Sequence, residues 1–224
     1  MPGEPENDTG DIEYPTVDTV LVLHETIIEG DARSEPGVRN EGDIEYALQH
    51  IEHGSFGERP GSLHETAFQL FRLLVSNHPF VDGNKRTALQ STVVLYEQNG
   101  HELRYGADME SFVRLLALDE RLVRPAPAAE YLSMRAVPTG STDGGDPGSG
   151  MASAGRSEVP PELVEELRDI EHLPRADLRS LREDCGVTFR DLVAVEELRH
   201  PVLKAFARAD IREHQDIYDR LAES

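Results

Sequence analysis

The chain of 224 residues has one cysteine, Cys185, which excludes an intramolecular disulfide and any cysteine-cluster metal site. It has no apolar run long enough to span a bilayer. Its opening residues, MPGEPENDTG, are polar and acidic, which predicts a cytoplasmic chain without a secretory signal. Lysine is nearly absent: only Lys85 and Lys204 are lysines among 22 basic residues, set against 43 acidic ones, for a formal net charge of -21. A chain so acidic lacks the basic face that contacts with a phosphate backbone require, so general binding of DNA or RNA is not expected. The carboxylates are scattered rather than gathered in one tail. That pattern is expected of a protein adapted to concentrated salt, where self-repulsion is screened, and it predicts a halophilic, haloarchaeal source. No internal repeat is present.

What the chain does have is helical periodicity. Val17, Val20, Leu21, His24, Ile27 and Ile28 fall at helical spacing that Gly30 closes, and Asn40 to Asp43 offer a cap for a second helix near 43–53. Leu63, Ala67, Leu70, Phe71, Leu74 and Val75 make a broad apolar face, with Ser62 and Glu65 at capping-box spacing. Pro79 predicts that this helix stops near Asn77. A second buried helix is expected from about Lys85 to Gln98, with Ala88, Leu89, Thr92, Val93 and Tyr96 inward and Asn99-Gly100 at its end. Further helices are expected near 108–118 and 126–135. Residues 1–16 carry no periodicity and are expected to form a flexible arm. The run PTGSTDGGDPGSGMASAG reads as a flexible linker, after which helical pattern resumes. The prediction is an all-α chain with a main domain at 17–137, a linker at 138–158 and a helical C-terminal module at 159–224. Residues 151–224 hold 11 basic and 17 acidic residues, which favours assembly or partner docking over DNA binding for that module.

The densest chemistry lies in His78-Pro79-Phe80-Val81-Asp82-Gly83-Asn84-Lys85-Arg86, between the two buried helices. Taken singly, each residue has an ordinary structural role: a helix-ending histidine, a turn, a solvated cation pair. Together they assemble a phosphate site. A helix start offers free N–H groups and a dipole that favours an anion. Gly83 lets the backbone approach a phosphate closely, Asn84 can orient the loop or donate to a phosphoryl oxygen, and Lys85 and Arg86 add positive charge. Asp82 can bind a hard Mg²⁺ that bridges phosphate oxygens. His78 can take a proton near neutral pH, and Phe80 is expected to anchor the loop in the core.

These residues resemble the Fic/Doc family, whose pattern His-x-Phe-x-Asp/Glu-x-Asn-x-Arg is matched by His78, Phe80, Asp82, Asn84 and Arg86. The resemblance extends over about Val17 to Met134, including LHETII at 23–28 and PGVRNEGDIEYAL at 36–48. It implies an all-α Fic fold and a substrate-positioning flap, expected at 53–62. Most Fic enzymes transfer AMP from ATP to a protein hydroxyl and carry Gly after the motif Asn, then a second Arg. Here Lys85 and Leu89 stand at those positions. In this the chain is similar to the death-on-curing (Doc) branch, with its Asn-Lys-Arg-Thr-Ala-Leu run. That likeness implies transfer of the ATP γ-phosphate to a Thr of an elongation factor. His78 would be the catalytic base, Asp82 the Mg²⁺ ligand, and Gly83, Asn84, Lys85 and Arg86 the phosphate-binding residues. Gly83 does not separate the two branches. The inhibitory Ser/Thr-x-x-x-Glu-Gly/Asn helix of self-restrained Fic proteins has no full match, the nearest being Thr9 with Glu13 followed by Tyr14. The resemblance therefore implies a separate antitoxin protein. A non-catalytic nucleotide-binding regulator is the remaining alternative.

Overall fold

A computed structural model of the chain describes residues 12–54, 59–139 and 157–223. The fold is all-α, with eleven α-helices and one two-stranded sheet among the described residues. Helix α1 (Val17–Glu29) begins where the Thr16 side chain accepts the Thr19 N–H, and buries Val20, Leu23 and Ile27 along one face. Helix α2 (Glu41–His53) is capped by Asn40, which accepts the Gly42 N–H at 3.1 Å. Helix α3 (Leu63–Asn77) starts on Ser62 as expected, but the capping box is half formed. The Glu65 carboxylate takes the N–H of Gly61 at 2.7 Å, one residue before the cap.

Helix α4 (Asn84–Gln98) packs on α3 and is the centre of the molecule: Arg86 through Glu97 are all buried. The expected buried helix is present with Ala88, Leu89, Thr92, Val93 and Tyr96 inward, and helices from the end of the chain cover its remaining side as well. Helix α5 (Ala107–Leu118), a 3-10 turn (Glu120–Leu122) and α6 (Pro125–Ser133) complete the expected series. Strands β1 (His101–Leu103) and β2 (Ala136–Pro138) pair antiparallel, with Leu103 opposite Ala136. Three residues are too few for an alternating pattern, so the sequence carried no sign of them.

The C-terminal helices are α7 (Pro161–Leu167), α8 (Arg175–Cys185), α9 (Phe189–Ala194), α10 (Glu196–Glu213) and α11 (Gln215–Ala222). Helix α10 runs along α1, joined by a 2.8 Å contact of His200 Nε2 with the Asp18 carboxylate and by ion pairs of Lys204 with Glu25 and Arg208 with Glu29. Helix α11 packs against α4 and α5. Val202, Leu203, Phe206 and Leu221 join Val20, Leu23 and Leu89 in one apolar cluster of the described residues. Residues 12–16, at the end of the predicted arm, lie against this body: the Asn99 side chain accepts from the Glu13 N–H at 2.9 Å and donates to its carbonyl at 2.8 Å.

A buried charged knot joins α4 to the last third of the chain. Arg175 donates to Glu97 at 2.8 Å and to Asp210 at 2.9 Å, and Asp210 also accepts the hydroxyls of Tyr105 at 2.6 Å and Tyr218 at 2.9 Å. Burial pushes the Glu97 carboxyl up to about 7 despite Arg175. Burial acts in the same sense on Asp210, but hydrogen bonding from His214 and the charge of Arg175 hold it below the usual carboxylate range. No helix of the described residues is long and apolar enough to cross a membrane.

Candidate active site

The loop between α3 and α4 is built by three restraints. His78 closes α3 in the left-handed region, φ 51° and ψ 56°, the one non-glycine residue with positive φ among those described. Histidine tolerates that region better than most residues. The turn sends the chain away from α3 and leaves His78 exposed. Next, the segment 37–40 straps the loop like a short antiparallel strand. The Pro79 carbonyl accepts from the N–H of Arg39 at 2.7 Å, and the Val81 N–H donates to Gly37 at 2.9 Å. Finally, Asn84 clamps the loop from inside: its side-chain oxygen accepts the Phe80 N–H at 2.9 Å and its amide donates to the Phe80 carbonyl at 3.0 Å. Of the two roles open to Asn84 in the sequence, orienting the loop is the one these hydrogen bonds perform.

Phe80 is wholly buried, its ring stacked on His24 with centroids 3.8 Å apart and planes 11° apart. His24 is itself buried, with Nδ1 3.2 Å from the Thr87 hydroxyl. Burial, and then the nearby Arg86 charge, lower its pKa to about 4, so it sits beneath the loop as a neutral imidazole.

Gly83 turns the chain into α4 with φ 73° and ψ 7°. Its N–H meets the Asp82 carboxylate at 2.5 Å, and no side chain caps the helix start. A Cβ here would stand 3.2 Å from Ile28 Cδ1 in a backbone region that side chains rarely adopt. Gly83→Ala is therefore expected to cost about 1 kcal/mol of stability. Urea denaturation checks this, and an unchanged midpoint would contradict the strain.

Lys85 lies half-buried in the first turn of α4; burial lowers its pKa, as does the charge of Arg114, while Asp82 opposes the shift. Arg86 is 3% exposed. Its Nη1 donates to Asp31 at 3.0 Å and its Nη2 to the Ser34 hydroxyl at 2.7 Å, with Asp82 3.6 Å from Nη2. Nε has no hydrogen-bond partner among the described residues. Leu89 is fully buried.

The fold thus brings His78, Asp82, Gly83, Lys85 and Arg86 to one loop and helix start, with Phe80 and Asn84 as its internal supports. Sequence reasoning missed Asp31, Ser34 and His24. The first two belong to a turn in which Asp31 accepts the Arg33 N–H and the Ser34 hydroxyl, a local signal that reads only as a loop. In the sequence His24 reads as one position of an apolar face. Among the described residues no group of three His, Cys, Asp or Glu is gathered to hold a metal alone. Asp82 fits the role of a single carboxylate ligand completed by phosphate oxygens, since its side chain is 41% exposed at the loop. Four residues of the expected flap, 55–58, lie outside the described residues.

Comparison with curated proteins gave no match. The family comparison did: residues 14–96, which take in α1, the strap, the loop and most of α4, match the model of the Fic/DOC family.

Proposed function

We propose that this Fic-type transferase domain is a Doc-like, toxin-type protein kinase, moving the ATP γ-phosphate to a Ser or Thr hydroxyl of a translation factor, an elongation factor being the expected target. The observation that carries the choice of kinase is the first two turns of α4. Lys85 stands half-buried beside Asp82 and Arg86, where AMP-transferring relatives have the smallest residue. One turn on, Leu89 is 0% exposed, so the position of their second cation belongs to the core. A long cation added at the loop and a phosphate clamp lost one turn later both disfavour the pose that exposes an α-phosphate.

In this reading His78 takes the proton of the target hydroxyl as its oxygen attacks the γ-phosphorus, the bond from that phosphorus to the β–γ bridging oxygen breaks, and ADP leaves. The opening amides of α4, Gly83, Lys85 and Arg86 hold phosphates, and Asn84 keeps the loop in shape beneath them. Asp82 would hold Mg²⁺, which when bound neutralises phosphate charge. A separate antitoxin would lay a helix into a groove of the protein, and the carboxylate-rich surface would work in concentrated salt. Gly83, common to both branches, keeps AMP transfer as the second reading. The purified protein and a cell lysate incubated with α- or γ-labelled ATP distinguish the two. Label from the γ position alone is expected, and label from the α position alone would overturn the kinase.

A further inference from the structure

We infer that Asp31, with Ser34, is a positioning residue for the transfer reaction, fixing the Arg86 guanidinium so that its remaining side meets the nucleotide phosphates. The inference rests on the proposed binding of ATP at the start of α4.

Three observations carry it. First, the turn after α1 takes one edge of the guanidinium: Asp31 Oδ2 accepts Nη1 at 3.0 Å and the Ser34 hydroxyl accepts Nη2 at 2.7 Å. Two partners on the edge formed by the two Nη atoms fix both the plane and the direction of the group. Second, Asp31 is held without help from Arg86. Its Oδ1 accepts the Arg33 N–H at 3.1 Å, its Oδ2 accepts the Ser34 hydroxyl at 3.0 Å, and its carbonyl accepts the Ser34 N–H at 2.9 Å. The backbone N–H of Arg33 is the main reason its carboxyl is lowered to about 2, so it is an anion at neutral pH. The turn is therefore a preformed mount rather than a surface acid that happens to lie nearby.

Third, the other side of the guanidinium faces the loop. Nη2 lies 3.6 Å from Asp82 Oδ1 and 3.7 Å from where a Gly83 Cβ would be, and Nε is buried with no partner among the described residues. An arginine is rich in rotamers, and holding it in place beforehand removes an ordering cost from ligand binding. A carboxylate that merely competed with phosphate would do the opposite, weakening nucleotide binding by occupying the cation.

The full-length protein tests this with Mg·ATP as the probe. Asp31→Asn is expected to raise the KM for ATP about tenfold. The same substitution in an Arg86→Ala background should then add nothing, because Asp31 acts through Arg86. A purely structural role would lower the thermal midpoint and the active fraction but leave KM where it was. Ser34→Ala, a milder change, should raise KM about threefold and covers the case in which Asp31→Asn fails to fold. An unchanged or lowered KM in a folded Asp31→Asn protein would overturn the inference while leaving the kinase intact. If the wild-type protein neither binds nor consumes ATP, the functional reading falls and takes this inference with it.

Discussion

His78→Asn is expected to lower the transfer rate about 10³-fold while leaving the fold intact. The choice of Asn matters. His78 ends α3 at φ 51° and ψ 56°, a left-handed conformation that Asn accepts more readily than most non-glycine residues, whereas Ala there adds strain. A loss of activity in His78→Ala could therefore reflect a displaced loop. The same loss in His78→Asn isolates the missing imidazole. Single-turnover transfer of γ-phosphate together with a thermal melt decides the matter. Persisting transfer in the folded variant would remove His78 as the base. Persisting growth arrest without any transfer would favour a nucleotide-binding regulator over an enzyme.

Arg175→Met is expected to be the most destabilising single change away from the loop, costing about 3–5 kcal/mol. The substitution keeps volume and removes charge. It leaves Asp210, whose side chain is wholly buried, and Glu97, 6% exposed, without their cation. Against a typical total stability of roughly 5–15 kcal/mol, such a loss puts the folded population at risk at ordinary temperatures. Glu97→Gln should cost much less, since burial already brings that carboxyl to about 7 and a neutral partner is half-tolerated. Urea unfolding of the two variants side by side measures the contrast. Equal losses would mean that the knot is held by packing rather than by charge.

The parts legible in the sequence are those whose signal is local and repeated. Helices α1, α3 and α4 announced themselves through apolar spacing and punctuation at Gly30, Ser62, Pro79 and Gly100. The loop residues His78, Asp82, Gly83, Lys85 and Arg86 did so through a chemistry too concentrated to be ordinary surface. What could not be read depends on residues far apart. The strap over Pro79 pairs it with Arg39, and the mount for Arg86 comes from residues 31–34, 52 to 55 positions away. Asn84 was legible as a loop residue, but its partner, the Phe80 backbone, belongs to no side-chain pattern. The burial of α4 on every side was hidden for the same reason, because Tyr218 reaches Gln90 across 128 positions.

The family match ends at residue 96, and the next residue, Glu97, is tied to Arg175 in α8. The recognisable segment therefore stops inside a helix whose far side is completed by the last third of the chain. Such a seam does not behave as a cassette in recombination. A lineage that traded away α8–α11 would uncover the apolar faces of α1 and α4 that those helices cover, so the loss of one stretch costs the other part of its core. Whatever the final helices contribute to partner choice evolves under the constraint of remaining a lid on the helix that begins at the loop.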